Sequence, residues 1–100
     1  MDGYEATEYA VIKPHIRGAI LRYAKEYEPL GDFLTAVLCN NLVEACRRAD
    51  DDNLRVLSTI VRFCYNEIPG NVWGSPEKVR AHLKEGRLMR DRQELITQRT

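Results

Sequence analysis

A chain of 100 residues can build one hydrophobic core and is too short for two. Fifteen basic residues against fifteen acidic ones leave no formal net charge, which argues against a protein that coats DNA, because phosphate binding rests on a basic excess. The same neutrality removes the self-repulsion that keeps copies apart and so favours self-association. A homo-oligomer is expected because so small a bundle has little interior to spare for a ligand pocket, which an interface can supply.

The opening stretch, MDGYEATEY, is acidic and has neither the basic nor the apolar part of a signal peptide. No later apolar run approaches the roughly 18 residues of a membrane span. The expectation is a cytoplasmic protein with no membrane partner. The first predicted helix, PHIRGAILRYAKEY, covers residues 14–27. Pro14 suits the first turn, where a missing N–H costs nothing. Ile16, Ile20, Tyr23 and Tyr27 recur at spacings of three and four along one face. Gly18 lowers helix propensity by about 1 kcal/mol relative to alanine, and marks either a close helix approach or a weak spot.

After a break at EPLG, a second helix is predicted through DFLTAVLCNNLVEACRRA. Asp32 is its cap, and Leu34, Val37, Leu38, Leu42 and Ala45 form its apolar stripe. Asn41 falls on that stripe, where a buried amide must find partners. Arg47 and Arg48 suit the negative end of this helix, and aspartates 50–52 suit the positive start of the next. The third helix, NLRVLSTIVRFCYNEI, carries Leu54, Leu57, Val61, Cys64 and Ile68 at helical spacing and stops at Pro69-Gly70.

A fourth helix begins SPEKVRAHLKEG, with Ser75 as N-cap, Pro76 at the first position, Glu77 in the first turn and Gly86 as the residue that ends it. The remaining RLMRDRQELITQRT sets Leu88, Leu95 and Ile96 among charges, a short amphipathic extension that packs on a neighbour or frays. Short connections favour antiparallel neighbours. The expected architecture is therefore all-α: a compact four- to five-helix bundle over residues 1–86, with residues 87–100 as a C-terminal extension, helical or frayed.

The pattern holds no recognisable catalytic constellation. His15 and His82 have no Cys, Asp or Glu at metal-ligand spacing, and both read as surface residues. Cys39, Cys46 and Cys64 are odd in number and unpaired in spacing, which suits a reducing compartment and small buried hydrophobes. There is no Walker loop and no dinucleotide fingerprint. No catalytic residue, metal or cofactor is assigned, and an enzyme is not expected. Lys78, Arg80, Lys84 and Arg87 on the fourth helix resemble a DNA-reading surface, but zero net charge makes DNA a poor partner.

The stretch YNEIPGNVWGSPEK, residues 65–78, holds the single tryptophan, flanked by glycines, directly before a helix start. One reading packs Trp73 into the core beside Val79, a hydrophobic residue ahead of the cap folding onto the first turns. The other makes the loop a ligand site. The helix N-terminus would supply amides for a phosphate, Ser75 a hydroxyl and Lys78 a charge. Trp73 and Tyr65 would be the faces on which a base stacks, with Asn71 beside them.

The strings GDFLTAVLCNNLVEACRRAD and LSTIVRFCYNEIPGNVWGSPEKV resemble a group of short all-helical accessory proteins of tailed phages and prophages. Those share a G-x-FL-x-AVL-x-N-x-L run, a RAD-type helix end, a YN-x-x-P and a W-G-SP-x-x-V segment. The resemblance covers residues 29 to about 86, and the tail from Arg87 departs from it. It implies an accessory protein in the host cytoplasm that opposes host defence by binding something. Two modes are expected, the first as the leading one and the second as its alternative. One sequesters a small nucleotide signal in a homo-oligomer. The other masks a host defence or regulatory protein through Arg47, Arg48, Arg80, Lys84 and the tail, since arginine is enriched at interfaces.

Overall fold

The computed structural model describes the backbone of residues 3–99 and the side chains of residues 3–96. A 3-10 turn, Glu8–Val11, leads into α1 (Pro14–Glu26), α2 (Asp32–Leu38), α3 (Leu42–Arg48), α4 (Asp51–Arg55), α5 (Leu57–Glu67) and α6 (Pro76–Arg99). The fold is all-α, with six α-helices among the described residues. None of these helices is long and apolar enough to cross a membrane.

Two stretches expected to be single helices are each broken in two. Asn40 takes a left-handed conformation (φ 61°) that turns the chain after α2, a backbone state that asparagine tolerates better than most residues. Asn41 then starts α3, its side-chain oxygen accepting from the Glu44 N–H at 3.2 Å. It is therefore an exposed cap rather than a buried amide on a continuous stripe. The break re-phases the helix, so Leu42, expected in the core, is 67% exposed, while Ala45 stays buried. Asp32 is no cap either. Gly31 holds that position, and the Asp32 carboxylate accepts instead from Arg48 at 3.0 Å.

The second break falls at Val56, between α4 and α5. Asp50 caps α4 by accepting the Asn53 N–H at 2.7 Å, and Lys13 bridges Asp50 and Asp52 at 3.5 and 3.3 Å. Here too the phase shifts. Leu54 and Val61, expected on the apolar stripe, are exposed, while Ile60, Phe63, Cys64 and Ile68 are buried.

The core is built on α1, whose Ile16, Ile20 and Tyr23 meet Leu34, Val37 and Leu38 of α2 and Ile60, Phe63 and Cys64 of α5. Tyr4, Tyr9 and Phe63 add an edge-to-face aromatic cluster, with centroids 5.1–5.9 Å apart. Arg17 is 1% exposed and donates to the carbonyls of Tyr9 and Ile12, which ties the 3-10 turn to α1.

Helix α6 docks on the C-terminal end of α1. The His82 ring stacks on Tyr27 (centroids 4.4 Å) and its Nε2 lies 2.7 Å from the Tyr23 carbonyl. A carbonyl can only accept, so Nε2 is the protonated nitrogen. His82 is thus a buried cap on the last turn of α1, not the surface residue that the sequence pattern suggested. Gly86, expected to terminate the helix, lies inside it, and a Cβ there would run into the Cβ and Cγ of Tyr27. Glycine is required at this point for close approach. Beyond it α6 continues as a single helix through the segment expected to be a separate extension, and residues 87–96 are exposed throughout. That rod helps explain a radius of gyration of 14.9 Å, against about 13 Å for a compact domain of this length.

Candidate functional site

The loop between α5 and α6 is pinned from below. The Tyr23 hydroxyl donates to the Val72 carbonyl at 2.6 Å, and the Gly74 N–H donates to the Leu38 carbonyl at 2.7 Å. Gly74 adopts φ +107°, which strains any residue with a Cβ. Between these two anchors Trp73 is held half-buried, one side against the core, and Val79 is buried in the first turns of α6. Both readings of the tryptophan therefore keep part of their ground: one side of the residue packs, and the remainder is accessible.

The helix opening is less available than the sequence suggests. Pro76 has no N–H, and the Lys78 N–H is taken by Ser75 Oγ at 3.2 Å. That leaves the Ser75 and Glu77 amides, beside the Glu77 carboxylate, which repels an anion. Ser75 thus acts as a helix cap, its oxygen already engaged. The Lys78 ammonium donates to the Gly70 carbonyl at 3.1 Å and has two further N–H groups to offer.

Tyr65, Gly70, Trp73, Gly74 and Lys78 line one open groove. The structure thus brings together Tyr65, Trp73 and Lys78. Ser75 and Asn71 are not part of this lining, and Asn71 is exposed on the loop beside it. Tyr65 is 78% exposed on the last turns of α5. It is not core packing.

The four candidate contact residues divide into two pairs. Arg47 and Arg48 are already engaged: both donate to Glu44, at 3.0 and 3.1 Å, and Arg48 also reaches Asp32. These hydrogen bonds hold the Glu44 carboxyl below its usual range. Arg80 and Lys84, by contrast, line a concavity on α6 together with Ala81, Leu83 and Arg87. Sequence periodicity missed one further surface, an apolar groove lined by Val37, Leu42, Ala45, Leu57 and Val61. The signal was the pair Asn40-Asn41, whose turn rotates Leu42 outward.

Among the described residues no three His, Cys, Asp or Glu side chains gather to hold a metal ion. Burial pushes the Cys64 thiol up to about 12 and raises that of Cys39, so neither supplies a thiolate near neutral pH. Comparison of the chain with protein-family models, curated proteins and solved structures gives no match.

Proposed function

We propose that the chain is a non-catalytic binding protein that docks another protein on the face formed by Tyr65, Trp73 and Lys78. The observation that carries this reading is the 78% exposure of Tyr65 beside a half-buried Trp73, in a groove open to solvent. Small-molecule sites enclose most of their ligand, whereas protein contacts centre on aromatic and basic anchors in shallower relief. The loop beneath is fixed by the Tyr23 and Gly74 hydrogen bonds, so the aromatic pair is presented with little ordering cost. The resemblance to phage accessory proteins makes a host defence or regulatory protein the class of target.

A second reading, sequestration of a nucleotide signal, is favoured by one observation: Lys78 lines the same groove as both aromatic rings. A base stacked on such rings gains about 1–3 kcal/mol. With the Lys78 N–H taken and the Glu77 carboxylate beside the helix start, however, the phosphate would rest chiefly on the Lys78 ammonium.

A photo-crosslinking residue at position 71, exposed beside the groove, expressed in the host, tests the first reading. A single host protein should be captured, and Tyr65→Ala should abolish its co-purification while leaving the melting temperature unchanged. Equal capture by wild type and Tyr65→Ala would overturn the docking face. A cyclic di- or trinucleotide or an ADP-ribose derivative that raises the melting temperature by several degrees, with the gain lost in Trp73→Ala and Lys78→Ala, would replace it with sequestration.

A further inference from the structure

Beyond Gly86, α6 carries apolar side chains that touch nothing else in the chain's core. Leu88, Met89, Leu95 and Ile96 are all exposed. They form two doublets seven residues apart, nearly two helical turns, and so lie on one side of the rod. The helix positions that fasten α6 to the body are Val79, His82, Leu83 and Gly86. At 3.6 residues per turn the two sets point in different directions. The outer face also includes Glu85 and Ala81, both exposed, one and two turns nearer the body. Between the doublets lies Arg92. Among the described residues neither Glu85 nor Arg92 has an ion-pair partner.

Read from the body outward, this face presents Ala81, Glu85, Leu88-Met89, Arg92 and Leu95-Ile96 in successive turns. Reversed and laid upon itself about the Leu88-Met89 doublet, the pattern complements itself. The doublet meets its own copy, Glu85 meets the partner's Arg92 twice over, and the small Ala81 receives the partner's Leu95 and Ile96. Centring the pairing on Arg92 instead would oppose two arginines in an apolar seam, which like-charge repulsion rejects. A parallel pairing would oppose Glu85 with Glu85 and Arg92 with Arg92. One arrangement satisfies both the charges and the apolar groups.

We infer that a second copy of this chain pairs antiparallel along the outer face of α6, with Leu88 and Met89 at the two-fold axis and reciprocal Glu85–Arg92 contacts on either side. The interface is isologous and closed, so it yields a dimer rather than a filament. Zero net charge imposes no long-range penalty on the approach. The overlap, residues 81–96, spans about 24 Å of helix at 1.5 Å per residue. That is a small interface, so the dimer is concentration-dependent. Lys78 lies one turn before Ala81 on the same side of α6, but the pairing uses none of Tyr65, Trp73 or Lys78 and does not depend on the role of their groove.

Sedimentation velocity on the full chain over a rising concentration series is the test. The wild type should pass from monomer to dimer, and Leu88→Glu should move that transition up by roughly tenfold or more. Glu85→Arg and Arg92→Glu should each weaken self-association alone, since each places like charges at both reciprocal contacts. Mixed in equal amounts, these two variants should form a heterodimer, because opposite charges then meet at both contacts. All these positions are exposed, so circular dichroism and melting should match the wild type. A monomer at every concentration overturns the inference, as does a dimer indifferent to Leu88→Glu. Failure of the mixture to restore pairing overturns the antiparallel register.

Discussion

Residues 76–86 and 87–99 belong to one helix, yet they live in different surroundings. The first part buries Val79, His82 and Gly86 against α1 and the loop before it. The second extends past the body with its side chains in solvent through residue 96. The backbone hydrogen-bond pattern is continuous across the boundary, so propensity does not set the difference. What changes is the supply of neighbours. Stability should therefore be concentrated on one side of Gly86 and association on the other.

The largest effect expected from breaking this contrast is at Gly86 itself. Alanine there gains about 1 kcal/mol of helix propensity. The added Cβ, however, meets Tyr27, with the ring's Cγ 2.7 Å away. Tyr27 cannot easily retreat, because it is the left-handed end of α1 (φ 59°) and stacks on His82. Overpacking wins, and Gly86→Ala should lose about 3 kcal/mol in urea unfolding. Leu95→Ala on the exposed rod should stay within about 0.5 kcal/mol of wild type when measured on the monomer. If Gly86→Ala proved neutral, the close approach of α6 to α1 would be wrong.

Tyr23 gives the next effect, because its hydroxyl joins α1 to the loop that carries Trp73. Tyr23→Phe removes the donor to the Val72 carbonyl and leaves a buried acceptor unpaired, a loss of about 2 kcal/mol. Burial also raises the Tyr23 pKa and pushes the Cys64 thiol up to about 12. In the unfolded chain these groups ionise near their ordinary values, about 10 and 8.5. The unfolded state therefore releases protons first. Stability is full below about pH 8.5 and falls as pH rises toward the folded values. Urea midpoints recorded between neutral pH and pH 11 should decline, and the decline above about pH 10 should be shallower in Tyr23→Phe.

The same contrast explains which features could be read from residue order. The beginnings of α1 and α6 were legible because Pro14, Ser75 and Pro76 act through local backbone chemistry. The all-α class followed from periodicity. Gly86 and His82 were misread because their roles depend on Tyr27 and Tyr23, which lie far away in the chain and close in space. Asn40-Asn41 lay between these cases. Its turn chemistry was present, but the continuous apolar spacing through Leu38 and Leu42 masked it. At the candidate site, Tyr65, Trp73 and Lys78 do converge on one groove, while the satisfied state of the helix opening could be seen only with Ser75 Oγ and Pro76 in place.

The smallest destabilisation predicted within the folded body, at Ser75, asks how much of α6 is held by its own start rather than by the body. Ser75 Oγ satisfies the Lys78 N–H, and Gly74 just before it is already bonded to Leu38. Ser75→Ala should therefore lose about 1 kcal/mol, the usual worth of an N-cap, without releasing the loop. Three amides, those of Ser75, Glu77 and Lys78, would then be open to solvent. If an anion site were latent at this opening, phosphate should stabilise Ser75→Ala more than it stabilises the wild type. No stabilisation by phosphate in either protein would mean that the Glu77 carboxylate rejects the anion regardless of the cap. The aromatic groove would then be left to recognise its partner without help from the helix end.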